Sequence, residues 1–272
     1  MNCNGQILDI SNPVVMGVLN ITPDSFYSDS RLMSTDDILH QAEKMLSEGA
    51  AILDIGGMSS RPGAEIVTVE AELIRVIPAV RAIHQEFPNA IISIDTIRAE
   101  VARESVAHGA AMVNDISAGS LDDKLLETVA ELGVPYVLMH MKGKPKDMQD
   151  QANYENVQLE IIDFLIQKVG KLRQLGIKDI IIDVGFGFGK TVEQNYQLLK
   201  TMHQFKILGL PILAGVSRKS MIYKVLNTTP ANALNGTSAL HMVALQQGAS
   251  ILRVHDVKEA VEVIKLWEQL RR

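Results

Sequence analysis

The sequence has little of what marks several large classes of protein. Its 272 residues include one cysteine, Cys3, which allows no internal disulfide and no cysteine-based metal cage. Aromatic residues are few (six Phe, five Tyr, one Trp), so stacking platforms for single-stranded nucleic acid are not expected. The net charge of −6 also argues against a nucleic-acid partner, which would require a basic face. The cysteine usage fits a reducing compartment, and we expect a cytoplasmic protein.

Long apolar runs are missing as well. The one long stretch without Asp, Glu, Lys or Arg, residues 225–252, contains Pro230 and several Asn, Gln and Gly residues. It is therefore too polar to span a membrane. The N-terminus has no basic segment followed by an apolar run, so no secretory signal is expected. These features predict an ordinary globular protein with no membrane partner.

Short apolar runs alternate with segments of helical periodicity along the whole chain. The runs are apolar on both faces, as is typical of buried parallel strands, and cover residues 14–18, 51–55, 91–94, 112–113, 136–139, 180–182, 212–214 and 251–254. Helices are predicted over residues 37–48, 70–87, 99–108, 122–132, 157–175 and 256–270. A capping box is predicted at residues 34–37, and Gly49 follows the last turn of that helix. This alternation predicts a single (β/α)₈ TIM barrel domain over residues 1–272, with a doubly wound open sheet as the alternative.

Two predicted strand-to-helix connections, residues 19–34 and 56–68, are unusually long. Such connections usually have about two to six residues, and longer ones are commonly binding loops or lids. Both segments are rich in Thr, Ser, Asp, Gly and Pro. We expect two lids over one mouth of the barrel, with ordinary surface loops as the alternative.

Each apolar run ends in polar or charged residues, which lie within its last residues or just after it. In a parallel barrel these positions gather at the C-terminal face, where enzymes of this fold place their sites. The residues are Asn20, Asp54, Asp95, Asn114, Asp115, His140, Asp183, Ser217, Arg218, Lys219, Arg253 and His255. Each alone could simply be leaving the core, and Asp54 could equally accept backbone N–H groups of its own loop.

The chemistry of this ring predicts a ligand. Its middle strands supply Asp95, Asn114 and Asp183, while its cations are Lys219, Arg253, His255 and, from the second loop, Arg61. One carboxylate can accept two N–H donors along the edge of a heterocycle, and a lysine can donate to a ring carbonyl. Clustered arginine and histidine suit phosphate oxygens. We therefore expect a small molecule with a donor-rich ring at one end and phosphate at the other.

Several familiar motifs fail. Residues 184–191 resemble a phosphate loop, but Val184 stands where glycine is required. The glycines of this segment are better explained by close approach of backbone to a ligand. No paired cysteine or H-E-x-x-H motif occurs, so a structural zinc site is not expected. A Schiff-base role for Lys219 stays an alternative, although nothing marks a desolvated amine.

Eight motifs follow one another along the chain. They are residues 17–26 (GVLNITPDSF), 54–63 (DIGGMSSRPG), 94–96 (IDT), 114–115 (ND), 139–141 (MHM), 183–189 (DVGFGFG), 217–220 (SRKS) and 253–255 (RVH). Together they resemble the motifs of dihydropteroate synthase, a pterin-binding barrel family, from about Pro13 to the C-terminus. The resemblance implies a transferase of folate biosynthesis, usually a homodimer and a target of sulfonamides, which mimic 4-aminobenzoate. It would condense 6-hydroxymethyl-7,8-dihydropterin diphosphate with 4-aminobenzoate, using Mg²⁺ and releasing diphosphate, by a dissociative substitution.

The resemblance also implies roles for individual residues. The pterin ring would be bound by Asp95, Asn114, Asp183, Lys219 and Arg253. The diphosphate would meet Asn20, Arg61, Arg253 and His255, with Asn20 also holding Mg²⁺. The aminobenzoate pocket would comprise Thr22, Pro23, Ser60, Arg61, Pro62, Phe188 and Ser220. Asp24 would lie near the reacting methylene, and Asp24, Arg61 and Lys219 form the expected catalytic set.

Three positions depart from the family pattern. Met58 stands where glutamate is usual, Ser60 where threonine is usual, and Lys142 where glutamine is common. Ser60 keeps the hydroxyl, whereas Met58 removes a carboxylate. A catalytically silent pterin-binding relative and a folate-dependent methyltransferase domain are the alternatives. Intact Asn20, Asp24 and Lys219 argue against the first, and the motifs at residues 17–26 and 217–220 against the second.

Overall fold

A computed structural model describes residues 1–22, 34–58, 67–144 and 146–271. Its strands are β1 (Asn2–Cys3), β2 (Gln6–Ile7), β3 (Val14–Asn20), β4 (Ile52–Gly56), β5 (Ile91–Asp95), β6 (Met112–Asp115), β7 (Tyr136–Met139), β8 (Ile180–Asp183), β9 (Ile212–Ala214) and β10 (Ile251–Val254). Strands β3 to β10 pair in parallel in chain order, and β10 closes a barrel on β3. The predicted barrel is confirmed, and the open sheet is excluded.

Helices follow the barrel strands. They are α1 (Thr35–Ser47), α2 (Val69–Glu86), α3 (Ala99–Ala107), α4 (Leu125–Leu132), α5 (Val157–Gln174), α6 (Val192–Thr201), α7 (Ser220–Tyr223), α8 (Leu234–Gln246) and α9 (Val257–Leu270), with 3₁₀ turns at Met202–Leu208 and Pro230–Asn232. The predicted capping box of α1 is confirmed, since Ser34 Oγ accepts the Asp37 N–H and Asp37 accepts the Ser34 N–H.

The predicted start of α4 at residue 122 is three residues too early. Asp122 instead turns its carboxylate toward the preceding helix, where it accepts the Ala99 N–H at 2.7 Å and so caps α3. Its other oxygen accepts the Lys124 N–H at 3.0 Å, which closes a turn ahead of α4. A side chain that caps another helix is not visible as such in the local sequence.

The short hairpin of β1 and β2 is a feature that the sequence analysis missed. Its turn is Asn4-Gly5, both with positive φ, and this dipeptide is the strongest local signal for a two-residue hairpin. Beside it, Cys3 and Leu8 are buried against an interior layer with one residue from each barrel strand: Met16, Ile52, Ile91, Met112, Val137, Ile181, Leu213 and Ile251. The hairpin therefore packs against the N-terminal end of the barrel interior.

The polar strand ends lie at the opposite, C-terminal mouth. Strands β5, β6 and β8 extend beyond the predicted apolar runs, so Asp95, Asn114 and Asp183 belong to the strands themselves and are fixed by the barrel. The two long loops were predicted largely on residues 23–33 and 59–66, which lie outside the described residues. Within the described part of the chain, no helix has both the length and the apolar character needed to cross a membrane.

Candidate active site

Arg253, from β10, joins two carboxylates from β4 and β5 at the C-terminal mouth. Its Nε donates to Asp54 Oδ2 at 2.6 Å, and its Nη2 donates to Asp95 Oδ2 at 2.7 Å. Asp54 is fully buried, while Arg253 and Asp95 keep 20% and 13% of their side-chain surface exposed. The two carboxylates thus fix the guanidinium at the C-terminal mouth of the barrel, where part of it stays exposed.

The pairing of Asp54 with other mouth residues was not predicted from the sequence. Asp54 Oδ2 also accepts a hydrogen bond from Asn114 Nδ2 at 2.9 Å, so one oxygen of Asp54 bonds both Asn114 and Arg253. Its Oδ1 is buried and has no hydrogen-bond partner among the described residues. The signal was present in the sequence, because a charged residue within an apolar strand must be paired to be buried. Its described side-chain partners are other mouth residues rather than the backbone of its own loop.

The acidic side of the mouth is desolvated. Burial, opposed by the attraction of Arg253 and reinforced by the neighbouring Asp54 charge, raises the pKa of Asp95 to about 7. Burial also raises the pKa of Asp183, which Lys219 and a hydrogen bond from the Gly185 N–H oppose. Both carboxyl groups therefore stand where N–H donors or cations would favour their ionised form.

Lys219 lies between this acidic side and the turn that follows β8, residues 184–189, which we call the glycine-rich turn. Its Nζ donates to Phe186 O at 2.5 Å and lies 4.8 Å from the centre of the Phe188 ring. A Cβ built on Gly215 would lie 3.7 Å from Lys219 Nζ and 4.0 Å from Arg253 Cβ, so both side chains border the space beside Gly215. Burial lowers the pKa of Lys219 to about 8, and Asp183 acts in the opposite direction.

His255 and Ser217 occupy the rim on the basic side. Ser217 Oγ lies 3.0 Å from His255 Nδ1 and accepts the His255 backbone N–H at 3.2 Å. Desolvation of the ring, and then the nearby Arg253, lower the pKa of His255 to about 4, although part of the residue is exposed. The imidazole is therefore neutral at pH 7 and can donate or accept one hydrogen bond at its free nitrogen.

Arg218 belongs to the framework rather than to the mouth. Its guanidinium makes two 2.8 Å bonds to Asp256 and also donates to the carbonyls of Pro230 and Ala231. Its φ of 53° is left-handed, and its backbone N–H donates to Thr237 Oγ1. These bonds fix the backbone from which Lys219 and Ser220 project.

The expected aminobenzoate residues are only partly described. Phe188, Ser220 and Thr22 are half-buried, with Ser220 at the start of α7. The remaining expected residues of this pocket, Pro23, Ser60, Arg61 and Pro62, and the expected catalytic residue Asp24 lie outside the described residues. Their roles stay predictions.

Met58, the main departure from the family motif, lies in apolar surroundings. It is 9% exposed and packs with Ile97, Ile116 and Met139, beside the partly buried Phe188. Methionine is flexible and fills irregular apolar gaps. A carboxylate at this position would need a charged or hydrogen-bonding partner to be buried here.

The glycine-rich turn has a different reason for its glycines from the one predicted. A Cβ on Gly185 would lie 1.9 Å from His140 O, and a Cβ on Gly189 would lie 2.6 Å from Lys142 O. Both glycines also have positive φ. Their close approach is to the protein's own backbone after β7, so the prediction that they make room for a ligand is wrong at these two positions.

Asn20 supplies the oxygen that could meet a magnesium ion. Its Oδ1 would lie 3.4 Å, and Asp95 Oδ2 3.7 Å, from a Cβ built on Gly56, so the missing side chain leaves space flanked by two oxygens. No group of three or more His, Cys, Asp or Glu residues that could hold a metal occurs among the described residues. This donor set fits Mg²⁺ bound through one or two protein oxygens and substrate phosphates, and it does not form a cage of protein ligands.

A closed parallel barrel with carboxylates and cations convergent at its C-terminal mouth defines a (β/α)₈ barrel enzyme with a small-molecule site. The model of the "Pterin binding enzyme" family matches residues 16–255. Dihydropteroate synthase from Escherichia coli K12 is 47% identical over 266 residues, covering 97% of this chain and 94% of its own.

Solved structures agree. The Yersinia pestis dihydropteroate synthase in complex with a sulfonamide drug has a TM-score of 0.95 and 42% identity, covering 100% of this chain and 98% of its own. The Xanthomonas albilineans enzyme with 4-aminobenzoic acid has a TM-score of 0.92 and 40% identity, covering 99% and 97%. The chain therefore belongs to the dihydropteroate synthase family of pterin-binding enzymes, which are transferases of folate synthesis.

Proposed function

We propose that the protein condenses 6-hydroxymethyl-7,8-dihydropterin diphosphate with 4-aminobenzoate to give 7,8-dihydropteroate and diphosphate. The observation that carries the proposal is the convergence of Asp54, Asp95 and Arg253 through bonds of 2.6 and 2.7 Å. This convergence places two kinds of group at one mouth. The carboxylates can accept hydrogen bonds from a donor-rich ring, and the guanidinium can stack on a flat ring or pair with an anionic group. Family membership supplies the substrates.

The acidic side would recognise the pterin. A 2-amino-4-oxo ring presents an amino group and a ring N–H along one edge, and a single carboxylate can accept both. Asp183 and Asp95 would do so, supported by the desolvation of both carboxyl groups, and Asn114, which donates to Asp54, would join them. Lys219 would exchange Phe186 O for the ring carbonyl, and the guanidinium of Arg253 would stack on the ring.

The basic side would receive the diphosphate. As the C–O bond breaks, negative charge grows on the leaving group, and cations at fixed positions stabilise it. Arg253 supplies a cation at this rim, and Arg61 is expected to join it, while the neutral His255 would donate one hydrogen bond to a phosphate oxygen. Asn20 would hold Mg²⁺, and the bound ion would neutralise phosphate charge at this step.

The carbon–nitrogen bond would form by a dissociative path. The electron-rich dihydropterin can delocalise the positive charge left on its methylene, so the weak aniline amine can attack it without a strong base. Phe188, Ser220 and Thr22, with Pro23, Ser60, Arg61 and Pro62, would hold the aminobenzoate. Asp24 would lie near the methylene. The two long loops would exclude water, which would otherwise capture the cation.

Further properties belong to the same proposal and rest on the family resemblance. We expect residues 1–272 to act as one pterin-binding domain in a cytoplasmic homodimer. The aminobenzoate pocket would also take sulfonamides, because the similar Yersinia pestis enzyme forms a complex with a sulfonamide drug.

One assay tests the proposal. Purified protein is mixed with the dihydropterin diphosphate, Mg²⁺ and 4-aminobenzoate, and dihydropteroate and diphosphate are quantified. We expect both products in equal amounts, and none when either substrate is omitted. Pterin binding without product would instead identify a catalytically silent relative.

Two variants test the residue roles. Lys219→Ala and Asp183→Ala should each lower kcat/KM more than about tenfold, or about 1.4 kcal/mol of transition-state stabilisation. Lys168→Ala is the control, because Lys168 lies on α5, donates to Ala118 O and has no assigned role in binding either substrate. Near-normal turnover of either mouth variant would contradict its assigned role.

A further inference from the structure

Lys190 is a buried lysine that the proposed reaction does not use. It lies in the segment that resembles a phosphate loop, residues 184–191, yet it is only 3% exposed. We propose that Lys190 is a positioning residue whose ammonium group anchors the glycine-rich turn, residues 184–189, from within, so that the turn presents Phe186 O and the Phe188 ring to Lys219. The catalytic meaning of that presentation rests on the proposed function.

The Lys190 ammonium group contacts only acceptors of the protein itself. Its Nζ lies 2.9 Å from both Gly185 O and Phe188 O, 3.3 Å from His140 O and 3.1 Å from His140 Nδ1. An ammonium group has three protons, so these four acceptors already use all of them. Within the described part of the chain, no carboxylate forms a salt bridge with it. Such an amine has no donor left for a phosphate.

His140, which contacts the Lys190 ammonium group, is suited to accept a hydrogen bond from it. His140 is 5% exposed, and its ring packs edge-on against Phe164 at 4.8 Å between centroids. Burial, and then the Lys190 charge, keep the pKa of His140 far below its usual range, so the imidazole is neutral. A protonated Lys190 can only donate, so His140 Nδ1 is then the acceptor and the ring proton lies on Nε2.

The rest of the turn is held by other polar groups. Asn195 Oδ1 accepts the Gly187 N–H at 2.7 Å, and Tyr154 Oη donates to Gly189 O at 2.9 Å. With the carbonyls of Gly185, Phe188 and Gly189 occupied inside the protein, the carbonyl of Phe186 is the one that meets Lys219. Lys190 thus decides which way the peptide groups of the turn face.

Removing the ammonium would release this arrangement. Buried carbonyls that lose their donor carry an unsatisfied polar penalty, so the turn would be expected to rotate toward other donors or water. Phe188 would then lose its fixed position over Lys219. Since Phe188 is expected to line the aminobenzoate pocket, the main consequence should be a higher KM for 4-aminobenzoate, with a smaller effect on kcat.

The test compares Lys190→Met with Lys168→Met. The control is matched, because Lys168 is half-buried, donates to Ala118 O at 2.8 Å and lies 5.7 Å from the Phe164 ring centre. In Lys190→Met, amide exchange in a peptide covering residues 184–191 should accelerate about tenfold or more, with peptides from α2 and α3 unchanged. In Lys168→Met that peptide should exchange as in the wild type. Unchanged exchange in Lys190→Met would overturn the proposal.

A double-mutant cycle separates positioning from general stability. Phe188→Ala and Lys190→Met should each raise the KM for 4-aminobenzoate about tenfold, and the double variant should raise it much less than about a hundredfold. Fully additive effects would overturn the proposal, because they would show that Lys190 does not act through Phe188. If Lys190→Met does not fold, Lys190→Gln takes its place in both experiments, and because its amide can still donate to some of these acceptors, the expected changes have the same direction but are smaller, and no change in either would overturn the proposal.

The two proposals fail separately. A wild-type protein that makes no dihydropteroate would overturn the proposed function. Hydrogen exchange of the turn would still decide whether Lys190 anchors it, because that measurement needs no substrate.

Discussion

Arg253 Nε and Asp54 Oδ2 lie 2.6 Å apart at the barrel mouth, although the two residues are 199 positions apart in the sequence. Asp54 is completely buried and accepts a second bond from Asn114 at the same oxygen. Burial alone would lower the pKa of Arg253, but Asp54 and then Asp95 raise it above its usual range. The pair therefore fixes a permanent cation among the residues expected to bind the pterin.

Replacing this buried carboxylate tests the relationship. Asp54→Asn keeps the shape but removes the charge, and breaking a buried ion pair typically costs about 3–5 kcal/mol. We expect a loss of that order in the free energy of unfolding, measured in urea, and at least about a tenfold loss of pterin affinity. Asp123→Asn, at an exposed position, should change neither quantity. Wild-type pterin affinity in a folded Asp54→Asn protein would contradict the assignment.

The pH dependence of pterin binding follows from two mouth groups. Asp95 must be ionised to accept N–H donors, and burial raises its pKa to about 7, so affinity should fall as pH drops below 7. Lys219 donates its strongest hydrogen bond when it is protonated, and burial lowers its pKa to about 8, so affinity should also fall as pH rises above 8.

We therefore expect a bell-shaped affinity profile for 6-hydroxymethylpterin, measured by calorimetry from pH 5 to 10. A ligand without diphosphate is used because phosphate groups titrate in the same range. A flat profile between pH 6 and 9 would show that these groups do not contact the ring.

The hairpin at the N-terminal end offers two adjacent residues for a stability test. Leu8 is 4% exposed and packs into the barrel interior, whereas Ile7 is 84% exposed. Leu8→Ala should lower the free energy of unfolding by about 2–5 kcal/mol, and Ile7→Ala should stay within about 0.5 kcal/mol. Urea denaturation of both variants measures this. Equal effects would mean that the hairpin does not seal the interior.

Glu72 on α2 forms a buried polar cluster with Thr96 and Arg98. Its Oε1 accepts the Thr96 hydroxyl at 2.7 Å, and its Oε2 lies 3.6 Å from Arg98 Nε. Arg98 and Arg75 donate in turn to Val67 O and Gly57 O, which flank residues 59–66. The cluster thus connects both flanks of that segment to the residue after Asp95.

We expect Glu72→Ala to destabilise the protein by about 3–5 kcal/mol, since it leaves Arg98 and the Thr96 hydroxyl without their carboxylate. Glu72→Gln should cost less, because its amide oxygen can still accept from Thr96. Glu70→Ala on the same helix is the exposed control. Thermal unfolding of the three variants ranks them, and equal melting temperatures for Glu72→Ala and Glu70→Ala would argue against the cluster.

Much of the architecture could be predicted from local patterns. The apolar runs of β7, β9 and β10 were predicted to the residue, because strands covered on both faces need a continuous apolar segment. The capping box at Ser34 and Asp37 followed from residue types at fixed spacing. The small hairpin carried an equally local signal in Asn4-Gly5 and was nevertheless overlooked.

The site was predictable in outline but not in its contacts. Polar residues after parallel strands must gather at one face, so Asp95, Asn114, Asp183, Lys219 and Arg253 could be assigned to one mouth. Which of them pair could not be known, since an ion pair depends on distances across the barrel. Asp54 was placed in the ring with a loop-acceptor role as an equal alternative, and in the structure it is the partner of Arg253.

The sequence by itself determined the order of strands and helices, the barrel and the chemical character of its mouth, because these depend on periodicity and on residue type at strand ends. Only the tertiary structure decided that Lys190 faces inward and that Gly185 and Gly189 make room for the backbone after β7. The physical reason is that hydrogen bonds and close contacts depend on positions in space, and the barrel brings together segments that the chain keeps far apart.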